Sequence, residues 1–173
     1  MNKVFPIAIL SLALFGCGEE SFDYEGKYFA TEGDECIPDT TSKNKDVVFF
    51  EIIAQGKGDA ISYTAKIPMG AAWGLPTKSE GLSSPTEKEK LNFSFSKEGK
   101  SGLFSGKPSI EMSITVKPHE SKAGHVLLTS WDATVSQNGM VKQISPLKEM
   151  QKSKGKYQVS TKGLCLLKQV SEA

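Results

Sequence analysis

The stretch Ile110-Glu111-Met112-Ser113-Ile114-Thr115-Val116-Lys117-Pro118 alternates apolar and polar residues until a proline stops it. Successive side chains of an extended chain point to opposite faces, so Ile110, Met112, Ile114 and Val116 share one face and Glu111, Ser113, Thr115 and Lys117 the other. This is the pattern of a half-buried antiparallel strand. Outward from it the same period recurs in short runs separated by Gly, Pro, Asn and Ser. Upstream lie Leu91, Phe93 and Phe95, and before them Ile61, Tyr63, Ala65 and Ile67 within 60–68. Downstream, 125–135 runs to an Asn138-Gly139 turn and on to 140–144. Further strands are expected at 24–31, 156–161 and 163–170, and a short helical turn at 146–154, where Leu147 and Met150 are three apart.

The run 45–54 contains Val47, Val48, Phe49, Phe50, Ile52 and Ile53, nearly continuous enough for a central strand covered on both faces. Gln55-Gly56-Lys57-Gly58-Asp59 then links it to 60–68 as a hairpin. From Met69 to Lys90 the periodicity stops and the chain reads as a long excursion. After the break at Lys97-Glu98-Gly99-Lys100, Leu103 and Phe104 resume the apolar pattern. The sum is an all-β domain of about 8–10 strands with little helix, whose edges must be hidden by closure into an antiparallel barrel or by stacking as a β-sandwich.

The N-terminal region carries an address. Residues 4–15 form an uncharged apolar run behind Lys3, shorter than the roughly 20 residues of a membrane-spanning helix and within the usual length of a secretory leader. It ends in Leu14-Phe15-Gly16-Cys17, which resembles a bacterial lipobox, with the apolar residue three before the cysteine and a small residue just before it. Phe15 departs from that pattern, where a small or β-branched residue is usual. The resemblance implies a signal peptide at 1–16, diacylation of the Cys17 thiol and usually an amide-linked third chain. Two or more acyl chains hold a protein stably on a membrane. Gly18 in place of an aspartate implies, by the same family's sorting logic, the outer membrane of a two-membrane envelope. Residues 17–23 then serve as a lipid-anchored tether and 24–173 as a single β domain. Periplasmic and cell-surface orientations both stay open.

The first strand reads Gly26-Lys27-Tyr28, early in a chain whose end carries a cysteine able to tie it back. At that strand the chain is similar to lipocalin-type barrels, with Tyr28 where lipocalins usually carry Trp, and no binding residue carries over.

Removing residues 1–16 from 173 leaves 157, enough for one core and too few for two comfortable domains. With Lys3 gone, 20 basic residues face 20 acids. All the basic residues are lysine, so the planar fork that grips phosphates and base edges is missing, and no nucleic-acid partner is expected. Cys36 and Cys165 lie near opposite ends of the mature chain, where an oxidising compartment permits a bridge. Closing a loop of about 130 residues would add on the order of 5 kcal/mol by loop-closure entropy. Two separate buried thiols are the alternative.

Met69-Gly70-Ala71-Ala72-Trp73-Gly74-Leu75-Pro76 is apolar where a connection is normally polar. Met69, Trp73 and Leu75 are the candidate partner or ligand contacts, unless the loop folds down as a lid with Trp73 as its plug. His119 and His125 stand six apart across Pro118 and Gly124, a spacing that defines no metal site, and His119-Glu120-Ser121-Lys122 reads as a solvated hairpin tip. No serine sits in a Gly-x-Ser-x-Gly elbow, and no glycine-rich loop leads into a helix to receive phosphate. Lys148, Lys152, Lys154 and Lys156 read as a soluble connecting loop or a contact for anionic headgroups.

No catalytic set and no cofactor are expected, and a non-enzymatic role follows. Three readings remain: an envelope-anchored lipoprotein binding a protein or envelope polymer through its loops, a carrier of a small apolar ligand lined by Phe49, Tyr63, Phe93, Phe95 and Met112, and an inhibitor or immunity lipoprotein.

Overall fold

The computed structural model describes residues 22–32, 36–38, 47–56, 60–86, 89–100, 107–152 and 159–169. Cys17 lies outside them, with the residues expected as a leader and most of the expected tether, as do Leu103 and Phe104. Phe22 and Asp23, expected at the end of the tether, are packed: the Phe22 ring meets Tyr24 edge-on at 4.9 Å, and Asp23 pairs with Lys168 at 2.7 Å.

The strands are β1 (Gly26–Glu32), β2 (Ile37–Pro38), β3 (Phe50–Gln55), β4 (Ser62–Lys66), β5 (Leu91–Glu98), β6 (Ser109–Pro118), β7 (His125–Gln137), β8 (Met140–Ile144) and β9 (Leu164–Lys168), with one helix, α1 (Pro146–Lys152), before β9. They form one antiparallel sheet ordered β4-β3-β1-β9-β7-β6-β5, β2 pairing with β1 and β8 with β7. The sheet curls almost shut into a barrel, so the choice between barrel and sandwich falls to the barrel. β7 is long enough to serve two partners on one edge, β9 along its first part and β8 along its second, while β6 covers the other edge.

Closure between the end strands comes from the segment that carries no periodicity. Tyr63 and Ser83 exchange both backbone hydrogen bonds, at 2.7 and 2.8 Å, and the Ser79 amide donates to the Ala65 carbonyl at 2.8 Å. On the other side the Glu80 amide donates to the Ser94 carbonyl at 2.7 Å, and the Asn92 amide to Ser83 Oγ at 3.1 Å. Residues 77–83 thus stitch β4 to β5 by single bridges rather than by a regular strand, and part of the expected excursion is sheet material. Alternation cannot reveal such a segment, because only isolated residues of it face the core.

The core follows the alternation. Tyr63, Ala65, Ile67, Leu91, Phe93, Phe95, Met112, Ile114 and Val116 are all buried, and the Phe50 and Phe93 rings meet edge-on at 5.7 Å. The run 45–54 is narrower than its composition suggests. The strand starts at Phe50, Phe50 and Ile52 are buried, Ile53 and Ala54 are half-buried, and Val47 is exposed, so it is covered fully on one face only. The strand expected at 156–161 is reduced, among described residues, to a Ser160–Gly163 bridge ahead of β9. Gly163 is required there: with φ +130, a Cβ on it would stand 2.4 Å from the Leu128 carbonyl oxygen.

Three tyrosines gather beside the first strand. The Tyr28 hydroxyl donates to the Tyr24 carbonyl at 2.7 Å, the Tyr24 hydroxyl donates to the Glu89 carbonyl, and the Tyr24 and Tyr63 rings meet edge-on at 5.6 Å. Burial first, with nearby Asp23 acting on Tyr28 and Tyr63 and Glu89 on Tyr24, holds all three phenols above their ordinary ionisation range.

Candidate functional site

Glu51 and Lys66 are in register, so the residue before β3 and the loop after β4 meet at the same end of the barrel. Pro68 opens a short 3-10 turn there, where its missing amide costs nothing. The loop is then tied by its own backbone: the Trp73 amide donates to the Gly70 carbonyl at 3.1 Å and the Leu75 amide to the same carbonyl at 2.8 Å. The close approach at Gly70 is obligatory, since a Cβ would sit 2.8 Å from the Pro76 carbonyl oxygen.

On this frame Trp73 keeps 50% of its surface exposed and Met69 36%. Behind Trp73 stands Phe49, ring centroids 6.3 Å apart, and behind Phe49 stands Trp131, edge-on at 6.0 Å. Trp131 is buried, with its indole N–H donating to Met112 Sδ at 2.8 Å. An aromatic file therefore runs from solvent to the core. Half of Trp73 remains wet, unlike the covered side chains of the core behind it. Of the three residues expected to form the contact surface, Trp73 and Met69 are exposed together, while Leu75 is half-buried and packs against the core. Phe49, expected among a carrier's lining residues, packs half-buried against the core between Trp73 and Trp131. The other expected lining residues, Tyr63, Phe93, Phe95 and Met112, are buried together in the core.

A second concave feature lies outside the sheet, over β5, β6 and β7, with a volume of about 460 Å³. Register sets its floor: Ser94 pairs with Ser113 and Ser113 with Asp132, and beside that row Glu111 pairs with Ser96 and Thr134. These are the polar residues of the alternating strands, so the surface is acidic and rich in hydroxyls. Asp132 accepts from Ser130 Oγ at 2.6 Å and from Ser145 Oγ, and these two donors hold its carboxyl below the ordinary range. With both oxygens occupied, Asp132 is a structural acceptor and is poorly placed to act as a base.

Cys36 and Cys165 are joined, S–S 2.03 Å and Cα–Cα 5.5 Å, tying the β2 side of the chain to β9. Both are buried with Leu127 in a small cluster of their own. His119 and His125 close the β6–β7 hairpin, the His119 amide donating to the His125 carbonyl at 3.0 Å, with Lys117 and Glu120 paired at 2.9 Å beside them. The expected hairpin tip is there, although His119 is only partly solvated: burial first, then Lys122, His125 and Lys162, keep its imidazole below the ordinary pKa. Of the lysine run, Lys152 pairs with Glu149 at 2.9 Å and Lys148 is exposed on α1, while Lys154 and Lys156 lie outside the described residues. No helix among the described residues is long and apolar enough to cross a membrane. No protein-family model, no curated protein and no solved structure matches this chain.

Proposed function

We propose that this chain is a non-catalytic envelope lipoprotein, held by acyl chains on Cys17, that docks a protein or envelope polymer on the barrel end carrying Trp73 and Met69. The observation that carries the reading is the half-exposed Trp73 backed by Phe49 and Trp131. A large aromatic left wet on a rigid support is the usual centre of a binding surface, because it offers much apolar area and loses little freedom on association. The backbone bonds at Gly70 supply that rigidity in advance. The lipid supplies location, and a tethered binder meets envelope partners without leaving the membrane.

Capture from detergent-solubilised envelopes, with the wild-type chain and with Trp73→Ala as paired baits, tests this. A partner retained by the wild type and recovered at least tenfold less by the variant is the expected result. Equal recovery by both baits, or no specific partner for either, contradicts it.

A further inference from the structure

Topology brings one more chemistry-bearing group to the disulfide. β7 pairs with β6 on one edge, Pro118 opposite Val126, and with β9 on the other, Leu127 opposite Cys165. The end of β6 therefore arrives at the corner where Cys165 meets Cys36. There Cys36 Sγ, Cys165 Sγ and a ring nitrogen of His119 all lie within 4.8 Å of one another.

A disulfide-bonded chain is synthesised as a dithiol, and in that state this corner presents two thiols and an imidazole. We propose that the dithiol form holds one thiophilic divalent ion, of the zinc type, on Cys36, Cys165 and His119. Binding transfers no electrons: two S–H bonds are lost as two protons to solvent, two metal–thiolate bonds form, and the imidazole gives its lone pair. An oxidising disulfide later takes two electrons from the thiolates, becomes two thiols by taking up two protons, and releases the ion as the Cys36–Cys165 bond forms. Ion and bridge are alternative states of one corner.

The geometry asks for small movements. Zinc–sulfur bonds of about 2.3 Å at the tetrahedral angle set the sulfurs about 3.8 Å apart, and a zinc–nitrogen bond of about 2.0 Å sets each sulfur about 3.5 Å from the nitrogen. The imidazole nitrogen, within 4.8 Å of both sulfurs, then closes by little more than about an ångström. The donor set selects the ion: two thiolates and an imidazole suit zinc-like ions and not calcium or magnesium, and the nearby Glu120 is engaged by Lys117. Three protein ligands leave a fourth position for water.

Cobalt(II) titration of the full chain under a phosphine reductant reads this directly. The expected result is one equivalent bound, with thiolate-to-cobalt charge-transfer bands and tetrahedral d–d bands, displaced by zinc. The oxidised chain gives none of these bands, and His119→Ala weakens binding at least tenfold and alters the d–d bands. No bands from the reduced chain, or the same spectrum and affinity from His119→Ala, overturns the proposal. If reduction unfolds the chain, far-ultraviolet circular dichroism decides: zinc restores the β signal of the wild type and not of His119→Ala, and failure to restore it overturns the proposal equally.

Discussion

The ring of Trp73 stands 6.3 Å from that of Phe49 on its inner side, while half of its own surface stays in water. A residue so placed contributes little to folding. Trp73→Ala is expected to change stability by no more than about 1 kcal/mol in urea unfolding, whereas Phe50→Ala, emptying a fully buried site, costs about 3–5 kcal/mol. A large loss at Trp73 would mean that it plugs the barrel end.

Ser79 Oγ accepts the Ala65 amide at 2.8 Å inside the β4 closure. Ser79→Ala leaves that buried donor without its acceptor and is expected to cost about 1–3 kcal/mol. Faster exchange of the Ala65 amide with solvent deuterium, at unchanged exchange in β6, would mark the loss as local to the seam.

The Cys36–Cys165 bridge closes a sequence separation of 129. Replacing both cysteines by serine is expected to cost about 2–5 kcal/mol, measured by chemical denaturation under oxidising conditions. An unchanged midpoint would show that the termini are held without it.

The three raised tyrosines give alkaline sensitivity with a definite sign. The fold prefers the protonated phenols, so above the ordinary value of 10.0 the native chain binds more protons than the unfolded one. Their contribution to stability is complete below that value and is lost as pH rises beyond it. Absorbance titration should show late ionisation coinciding with unfolding, and Tyr28→Phe should make unfolding less steep in pH. Tyrosines that all titrate near 10.0 in the folded chain would contradict this.

Where an element buries alternate residues, the sequence carried it: β4, β5 and β6 lie where Ile61 to Ile67, Leu91 to Phe95 and Ile110 to Val116 alternate, and Asn138-Gly139 turns with φ of 52° and 77°, as the paired turn requires. The closure through Ser79 and Ser83 was not legible, because isolated bridges bury single small polar residues and leave no period to read. At the candidate site, the apolar loop flagged Trp73, yet its backing by Phe49 and Trp131 depends on which barrel end each reaches. The approach of His119 to the Cys36–Cys165 bridge is likewise a product of strand register, invisible at a spacing of six between histidines.

Mass spectrometry of the N-terminal peptide from the membrane fraction of its host reads whether lipid on Cys17 holds this barrel at a membrane. A peptide beginning at Cys17 and carrying at least two acyl chains is the expected result. An unmodified Cys17, with the chain recovered free of membranes, would contradict it.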